Sequence, residues 1–475
     1  MSGSISVPLW FFLVLCALAA LAALDLLVRP TARWYVQRKV NTVLQDLGSK
    51  LQVEIPPFKI TRRQVLIDRL FHDDVVQAAA ERQSRESGES LLAVRRRVER
   101  YAREIVPSFN AYLYFRIGYW LAKAIARALY RVRLGYVDEP GLAGVQRQST
   151  LVFVMNHRSN FDYILVAFLA AERAALSYAV GEWARVWPLQ ALVKAMGAYF
   201  VRRNSGDPLY RLVLQRYVRM ATEAGVTQAV FPEGGLSLDG KLRSPKLGLI
   251  DYMVRGFDAA GVRDLVFIPV GINYDRVLED RTLLRKLDPA ARRRGIAGAG
   301  LTTAGFVGRN VLQFLTGRWY RYGYACVNFG TPLSMRAWCR DRGIAFRSMP
   351  EPERHAAVET LGRELMDRLE DVIPVLPVSL VASIMLEAGG QPLSLLELKA
   401  RAQARTEELE QRGARIYVPR KDRDYAIEVG LRMLVLRHLV FEEDGLLRAN
   451  PDETELLAYY ANAIAHLNRR ARDPT

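Results

Sequence analysis

From residue 132 onward, short apolar runs alternate with stretches of helical periodicity. The runs have the length of buried strands, and the stretches between them repeat their apolar residues at helical spacing. Strands that alternate with helices favour an α/β fold with a mostly parallel sheet flanked by helices. The predicted strands are residues 151–155, 174–180, 226–231, 265–272 and 325–329, and the predicted helices between them include residues 161–171, 209–224 and 247–260.

This α/β pattern occupies residues 136–373 and is flanked by two helical regions. Residues 30–135 are strongly basic and have helical periodicity, and a separate tail fills residues 374–475 after a pair of prolines. Three predicted helices and a hairpin in the tail would form a winged-helix-like unit. Its positive charge is not focused on one recognition helix, so nucleic acid is not favoured as a partner. A packing or regulatory cap is the simpler interpretation of the tail.

The N-terminal segment is uncharged and apolar without interruption over residues 7–24. A transmembrane anchor at residues 7–28 is long enough to cross a bilayer core as a helix. Arg29, Arg33, Arg38 and Lys39 follow the run, and no Lys or Arg precedes it. The positive-inside rule then places the rest of the chain in the cytoplasm, on a cytoplasmic (inner) membrane. A cleaved signal peptide is the alternative, which the uncharged N-terminus and the basic flank disfavour.

The formal net charge of +17 favours a polyanionic partner such as an anionic membrane surface. Aromatic residues are interleaved with cations over residues 111–130, as expected of a helix in the lipid headgroup layer. An amphipathic helix that packs on the neighbouring domain explains the same pattern. Residues 296–315 would dip into the membrane interface, although their polar residues and glycines argue against a full span.

The sequence V-M-N-H-R-S-N-F-D-Y, residues 154–163, places a histidine directly after a predicted buried strand. Asp162 follows His157 by five residues, so the two side chains can meet only if the backbone between them turns. Such a pair can act as a general base and the carboxylate that orients it. In isolation the spacing is a weak signal, and a pair without a chemical role is the simpler interpretation.

Three further stretches place cations or glycines beside predicted strands. G-A-Y-F-V-R-R carries Arg202 and Arg203, which could bind a phosphate, although an exposed surface pair is the simpler interpretation. F-P-E-G-G brings Glu233, Gly234 and Gly235 into a turn whose backbone N–H groups could meet an anion. The alternative there is an ordinary strand-to-helix connection. I-P-V-G-I-N-Y-D, residues 268–275, by itself indicates only a strand and a loop.

Several other chemistries lack their motifs. The sequence contains no G-x-S-x-G elbow, no P-loop, no strand followed by G-x-G-x-x-G and no H-E-x-x-H. Its three cysteines, Cys16, Cys326 and Cys339, have no disulfide or metal-binding spacing. We therefore expect no metal and no cofactor.

Taken in order, the four stretches resemble the glycerolipid acyltransferases, and in particular the glycerol-3-phosphate and dihydroxyacetone-phosphate acyltransferase branch. H-R-S-N-F-D-Y, G-A-Y-F-V-R-R, F-P-E-G-G with the later Pro245–Lys246, and I-P-V-G-I-N-Y-D are similar to its four blocks. The stretches V-N-F-G-T-P-L-S and Y-Y-A-N-A-I-A-H-L are also similar to this branch. The likeness runs from about residue 100 to the C-terminus.

The resemblance implies a fatty acyl transfer from acyl-CoA or acyl-carrier protein to the sn-1 hydroxyl of glycerol 3-phosphate, which gives lysophosphatidate. It makes His157 the general base and Asp162 its partner, without an acyl-enzyme. It also implies a substrate pocket for which our candidates are Arg158, Ser159, Arg202, Arg203, Glu233, Gly234, Gly235, Lys241 and Lys246.

The chain departs from the branch directly after E-G-G. The branch usually has G-R-S-R there, and this chain has Leu236 and Leu238 at the arginine positions. Those arginines are thought to hold the acceptor phosphate, so lysophosphatidate or another lysolipid becomes an alternative acceptor. A non-catalytic membrane scaffold and a nucleic-acid-binding protein are the alternatives outside enzymes.

Overall fold

The structure is a computed structural model that describes residues 56–111, 114, 118–170, 176–180, 194–202, 205–287 and 322–469. Within these ranges, no helix combines the length and the apolar character needed to cross a membrane. The predicted anchor at residues 7–28 and the predicted interfacial segment at residues 296–315 lie outside the described ranges. Both therefore stay predictions.

The described chain contains helices along its whole length and two β-sheets. The helices are α1 Pro57–Ile60, α2 Arg63–Phe71, α3 Asp74–Ser87, α4 Leu91–Ile105, α5 Tyr119–Leu129, α6 Glu139–Ala143, α7 Asp162–Ala170, α8 Pro208–Glu223, α9 Gly248–Val254, α10 Asp280–Arg285, α11 Met335–Arg342, α12 Glu351–Glu370, α13 Pro377–Glu387, α14 Leu395–Gln411, α15 Arg423–Val435, α16 Thr454–Ala461 and α17 His466–Arg469. The strands are β1 Arg131–Val137, β2 Thr150–Met155, β3 Ser177–Val180, β4 Tyr199–Phe200, β5 Gln228–Val230, β6 Leu265–Tyr274, β7 Tyr324–Phe329, β8 Leu333–Ser334, β9 Leu393–Ser394, β10 Val440–Glu443 and β11 Leu446–Ala449.

The larger sheet has eight strands in the order β1-β7-β6-β2-β5-β3-β4, with β8 paired to β6. Strand β2 lies near the centre and runs parallel to both β5 and β6. Among the described strands of this larger sheet, only the pairs of β6 with β7 and with β8 are antiparallel. The predicted α/β class with a mostly parallel sheet is therefore confirmed, and each of the five predicted strands overlaps an observed one.

The structure differs from the prediction at one end of the basic helical region. Residues 131–135 were expected to be helical, but they belong to β1, which pairs with β7 at the edge of the sheet. This strand is largely exposed, and arginine and glycine interrupt its apolar residues. Its sequence therefore lacks the apolar run that marks a buried strand, and pairing with β7 decides its conformation.

The sheet separates two hydrophobic cores. Phe153 and Met155 of β2 pack into one core, whereas the alternate residues Val152 and Val154 pack into the other. Successive side chains of a strand point to opposite faces, so these cores lie on the two faces of the sheet. The N-terminal helices α2, α3 and α4 contribute to the second core, and the tail helices α13, α15 and α16 contribute to the first. The two flanking regions thus cover opposite faces.

The tail contains the elements that its sequence predicted. Helices α13, α14 and α15 are followed by the hairpin of β10 and β11, and β11 also pairs antiparallel with β9. Helix α13 is buried along most of its length because it packs on α15 and α16 as well as within the core that contains Phe153 and Met155. The tail is therefore joined to the sheet domain through a shared hydrophobic core.

Candidate active site

The carboxyl end of β2 is fixed to its neighbour β6 by one side chain. Asn156 donates from Nδ2 to the Ile272 carbonyl at 2.8 Å, and its Oδ1 accepts from the Ile272 N–H at 2.7 Å. This reciprocal pair extends the ladder by one residue beyond the strand. It places His157, the next residue, where parallel sheets usually carry their ligand sites.

His157 and Asp162 are in contact, as their spacing predicted. His157 Nδ1 lies 2.9 Å from Asp162 Oδ2, and both side chains are buried. The same oxygen accepts from the backbone N–H groups of Arg158 at 2.8 Å and Ser159 at 3.0 Å. The backbone between His157 and Asp162 therefore folds around the Asp162 carboxylate. Asp162 is also the first residue of α7.

The other carboxylate oxygen has a partner that the motif analysis missed. Tyr274, at the end of β6, donates its hydroxyl to Asp162 Oδ1 at 2.6 Å. Burial, reinforced by the Asp162 charge, raises the pKa of Tyr274 well above its ordinary value, so the hydroxyl keeps its proton and acts as a donor. The only sequence signal for this contact was the position of Tyr274 at the end of I-P-V-G-I-N-Y-D.

The remaining nitrogen of His157 is available for chemistry. With Asp162 ionised, the Nδ1 proton points at the carboxylate, which leaves a lone pair on Nε2. Nε2 is buried, and no hydrogen-bond partner for it exists among the described residues. The ring stacks on Phe231 with centroids 4.0 Å apart and meets Tyr163 edge-on at 5.4 Å. A reacting hydroxyl could therefore transfer its proton to Nε2.

Glu233 connects the E-G-G turn to the histidine. One of its oxygens accepts from the His157 N–H at 2.7 Å and the other from the Arg243 N–H at 3.1 Å. Burial raises the pKa of Glu233 to about 7, against the opposing effect of these two hydrogen bonds. The Ser237 N–H also donates to the His157 carbonyl at 2.9 Å. The E-G-G turn and the loop from His157 to Asp162 are thus one hydrogen-bonded unit.

The glycines of this turn allow a close approach of a lysine. Gly234 has φ +66°, and a Cβ atom there would lie 2.5 Å from Lys246 Cδ. Gly235 follows in the same bend. Lys246 also donates its backbone N–H to the Pro232 carbonyl at 2.7 Å, which closes the loop. Gly234 and Lys246 therefore shape the turn, and their substrate-binding roles stay predictions.

Arg158 is a buried arginine beside the histidine. Its Nη1 donates to the Gly240 carbonyl, and its guanidinium carbon lies 5.0 Å from the centre of the Tyr459 ring. Its Nε and Nη2 are buried, and no partner for them exists within the described part of the chain. Arg158, Glu233 and Lys241 line one small cavity. The structure thus brings three of the predicted substrate-binding residues together.

Two other predicted residues are engaged by carboxylates. Arg202 binds Glu104 through Nε at 2.9 Å and Nη2 at 2.6 Å, and its guanidinium lies over the Tyr101 and Tyr210 rings. Ser159 donates from Oγ to Glu279 at 2.7 Å. Their substrate-binding roles stay predictions, as does that of Arg203, which lies outside the described residues.

Glu279 is a second residue that sequence reasoning missed. It accepts from Ser159 Oγ and from the Asn160 N–H at 3.2 Å, so it holds the turn between His157 and Asp162 from the opposite side. Burial raises the pKa of Glu279 above its ordinary value.

Leu236 and Leu238 occupy apolar surroundings. Both are partly buried and pack against the core on the tail-covered face of the sheet. Leucine at these positions therefore fits its apolar surroundings, whereas an arginine at either position would need a partner for its charge.

Among the described residues, no cluster of three or more His, Cys, Asp or Glu could hold a metal ion.

Comparison with known proteins defines the class. A family model named acyltransferase matches residues 138–273, and the model of the glycerol-3-phosphate acyltransferase C-terminal region matches residues 310–469. The first match contains His157, Asp162 and the E-G-G turn. The resemblance to the glycerolipid acyltransferases that the four blocks predicted is therefore confirmed.

The branch follows from its relatives. The chain is 26% identical over 451 residues to the glycerol-3-phosphate acyltransferase of Aeromonas hydrophila, covering 91% of this chain and 53% of that protein. It is 24% identical over 446 residues to the one of Xanthomonas campestris, covering 90% of this chain and 48% of that protein. The resemblance to the glycerol-3-phosphate acyltransferase branch is thus confirmed. The chain spans about half the length of these relatives.

A solved structure is also similar in part. The match to the crystal structure of the 1-acyl-sn-glycerophosphate (LPA) acyltransferase PlsC from Thermotoga maritima covers 64% of this chain and 97% of the PlsC chain. The sequence identity is 16% and the TM-score is 0.30. With so low a TM-score, the fold assignment rests on the sheet topology described above.

Proposed function

We propose that this chain transfers a fatty acyl group from acyl-CoA or acyl-carrier protein to the sn-1 hydroxyl of glycerol 3-phosphate and so forms lysophosphatidate. The observation that carries the proposal is the buried, unoccupied Nε2 of His157, whose ring Asp162 fixes from the other side. The glycerol-3-phosphate acyltransferases to which the chain is similar suggest the acceptor.

The reaction follows from this geometry. The acceptor hydroxyl gives its proton to His157 Nε2 while its oxygen attacks the thioester carbonyl, and the imidazolium is stabilised by Asp162. The tetrahedral intermediate then expels the thiolate, which takes the proton from Nε2 and leaves as a free thiol. Deprotonation and positioning carry the step, so no covalent intermediate on the protein and no cofactor is required.

The acceptor phosphate would bind beside Arg158, and the small cavity that Arg158 lines would have to widen to admit it. A buried guanidinium with two unoccupied donors favours an anion, and Lys241 on the same cavity adds a second positive charge. This arrangement would replace the arginines that are absent at Leu236 and Leu238.

The second candidate acceptor is lysophosphatidate or another lysolipid. The observation that favours it is the partly buried, apolar environment of Leu236 and Leu238, next to a turn that is bonded to His157. An acyl chain on the acceptor would find an apolar wall there, whereas glycerol 3-phosphate would not use it.

The test is a panel of acceptors with one acyl donor. Purified protein with labelled glycerol 3-phosphate and long-chain acyl-CoA or acyl-carrier protein should release free thiol and form labelled lysophosphatidate. Thiol release with lysophosphatidate but not with glycerol 3-phosphate would move the assignment to the second acylation step. A failure of every acceptor to stimulate thiol release would favour a membrane scaffold over an enzyme.

We propose in addition that residues 7–28 anchor the protein in the cytoplasmic membrane and that the catalytic domain faces the cytoplasm, where it meets membrane lipids and the acyl donor. The net charge of +17 supports an anionic lipid surface as a partner. Protease protection of a tagged N-terminus in sealed membrane vesicles tests the orientation.

The tail is proposed to be a winged-helix-like unit that packs instead of binding nucleic acid. Its order of helix, short strand, two helices and hairpin supports this architecture. Helix α15, in the place of a recognition helix, contributes Asp424 and Glu428 to ion pairs with Lys399. These acidic residues disfavour contact with phosphates.

A further inference from the structure

Helix α16 of the C-terminal tail contacts the loop that holds Arg158. Tyr459 of α16 lies with its ring 5.0 Å from the Arg158 guanidinium carbon, and both side chains are buried. The Tyr459 hydroxyl has no partner among the described residues, so the ring face is the part of this side chain that bears on Arg158. A cation over an aromatic face is attracted by the ring quadrupole, and more strongly when both are desolvated.

The backbone of the same helix fixes the other partner of Arg158. Gly240, whose carbonyl accepts from Arg158, has φ +87°, and a Cβ atom there would lie 2.1 Å from the Tyr459 carbonyl oxygen. Asn462 donates from Nδ2 to the Asp239 carbonyl at 2.9 Å. The tail therefore packs closely against the turn at residues 239–240 and is hydrogen-bonded to it. The two contacts of the Arg158 guanidinium, with the Gly240 carbonyl and with the Tyr459 ring, thus both depend on the tail.

A buried polar cluster fixes α16 to the catalytic domain. Asp280 accepts the Tyr460 hydroxyl and pairs with Arg437 at 2.7 Å. Arg437 also donates to the Tyr460 hydroxyl at 2.6 Å, and that hydroxyl accepts from the Val277 N–H at 3.2 Å. Such a cluster is costly to break because each member would leave a buried partner unpaired. Tyr459, the neighbour of Tyr460, is thereby held at a fixed position.

We propose that the C-terminal tail completes the acceptor site: Tyr459 is a positioning residue that orients Arg158 toward the phosphomonoester of the acceptor. The proposal rests on the proposed function and adds a specific role for the tail. Without the ring and the Gly240 carbonyl, the guanidinium of Arg158 could turn toward Glu233, whose carboxylate lies on the same cavity. The ring thus keeps Nε and Nη2 available to the substrate.

The test compares two substitutions of one residue. Tyr459→Leu removes the ring face, and we expect the KM for glycerol 3-phosphate to rise about five- to twentyfold. The KM for the acyl donor and kcat should change by less than about twofold, since neither depends on the orientation of Arg158. The conservative Tyr459→Phe keeps the ring, so its acceptor KM should return to within about threefold of the wild type.

A control on the same helix separates positioning from stability. Leu457→Ala removes a fully buried side chain of α16 and keeps the Tyr459 ring, so it loosens the tail without removing the ring. An equal rise of the acceptor KM in Leu457→Ala and Tyr459→Leu, or a parallel rise of both substrate KM values, would overturn the proposal. If Tyr459→Leu fails to fold, Asn462→Ala serves instead, with an expected two- to fivefold rise of the acceptor KM. No rise in that variant would also overturn the proposal.

The outcomes distinguish this inference from the function itself. A wild-type protein that acylates no phosphorylated acceptor contradicts the proposed function. An active wild type whose acceptor KM does not change in Tyr459→Leu contradicts the role of the tail alone. If the acceptor panel identifies lysophosphatidate as the better substrate, the same KM comparison is made with lysophosphatidate, which carries the same phosphomonoester group.

Discussion

Arg158 and Arg202 lie in neighbouring sequence blocks, shortly after strands β2 and β4, and the structure places them in opposite situations. Arg202 is paired in bidentate geometry with Glu104 and covered by two tyrosine rings. Arg158 is more deeply buried, yet two of its nitrogen atoms have no partner among the described residues. Buried polar atoms in a folded protein usually have hydrogen-bond partners. His157 and Arg158 both carry buried nitrogen atoms without a partner among the described residues, so a substrate is expected to bind at their loop.

The largest effect on kcat is expected from a substitution of His157. His157→Ala should lower kcat by about 10²- to 10⁴-fold because it removes the proton acceptor. Thiol release from the acyl donor measures this effect, and the thermal unfolding temperature reports on folding. His355→Ala, at an exposed histidine of α12, is the matched control and should be fully active. Substantial activity in a folded His157→Ala variant would remove the base assignment.

The comparison of the two arginines can be tested directly. Arg158→Ala should raise the acceptor KM about ten- to a hundredfold, since it removes a charge-assisted contact with the phosphate. Arg202→Ala should lower the unfolding temperature and leave the acceptor KM close to that of the wild type, because Glu104 occupies its guanidinium. Acceptor titrations and thermal melts of both variants provide the measurement. An equal rise of KM in both would restore the phosphate-binding role predicted for Arg202.

The buried carboxylate of the E-G-G turn should make stability depend on pH. The pKa of Glu233 is raised to about 7 in the folded protein, so folding opposes its ionisation. The loss of unfolding free energy from ionising the buried carboxylate is absent below the unfolded pKa, near 4.5. It reaches its full value above the folded pKa, at about 7. Relative to Glu233→Gln, the wild type should therefore lose about 3 kcal/mol of unfolding free energy between pH 4.5 and 8.

Urea unfolding of both proteins across this pH range measures that difference. Other buried carboxylates, such as Asp275, titrate in both proteins and cancel in the comparison. A difference that is constant with pH would show that Glu233 is ionised throughout.

The smallest expected effect concerns the hydroxyl behind Asp162. Tyr274→Phe removes the donor at 2.6 Å and should lower kcat about three- to tenfold. It should also move the acidic limb of the pH–rate profile to higher pH, because a carboxylate that has lost a donor stabilises the imidazolium more strongly. Tyr130→Phe is the control, since that hydroxyl donates to the Arg276 carbonyl within the same aromatic cluster. The same pH shift in both variants would assign it to packing.

Much of the fold followed from local pattern. The strand predicted at residues 151–155 is β2, and its alternate residues face two cores as the strand period requires. Strand β1 was missed because an edge strand with arginines and a glycine lacks an apolar run, and only its pairing with β7 defines it. In the tail, the proline at the start of α13 and the hairpin at β10 and β11 were visible locally.

The sequence by itself determined the α/β class, the branch of acyltransferase and the pairing of His157 with Asp162, because each depends on residues that are close in the chain or in ordered blocks. Only the tertiary structure decided which groups surround that pair. Tyr274 and Glu279 reach the catalytic loop from more than one hundred residues away, and Glu104 reaches Arg202 across a similar distance. Local periodicity encodes which face of an element is buried, but the partner of a polar side chain is selected when distant elements pack. In our proposal, the packing of α16 is what keeps Nε and Nη2 of Arg158 without a partner among the described residues.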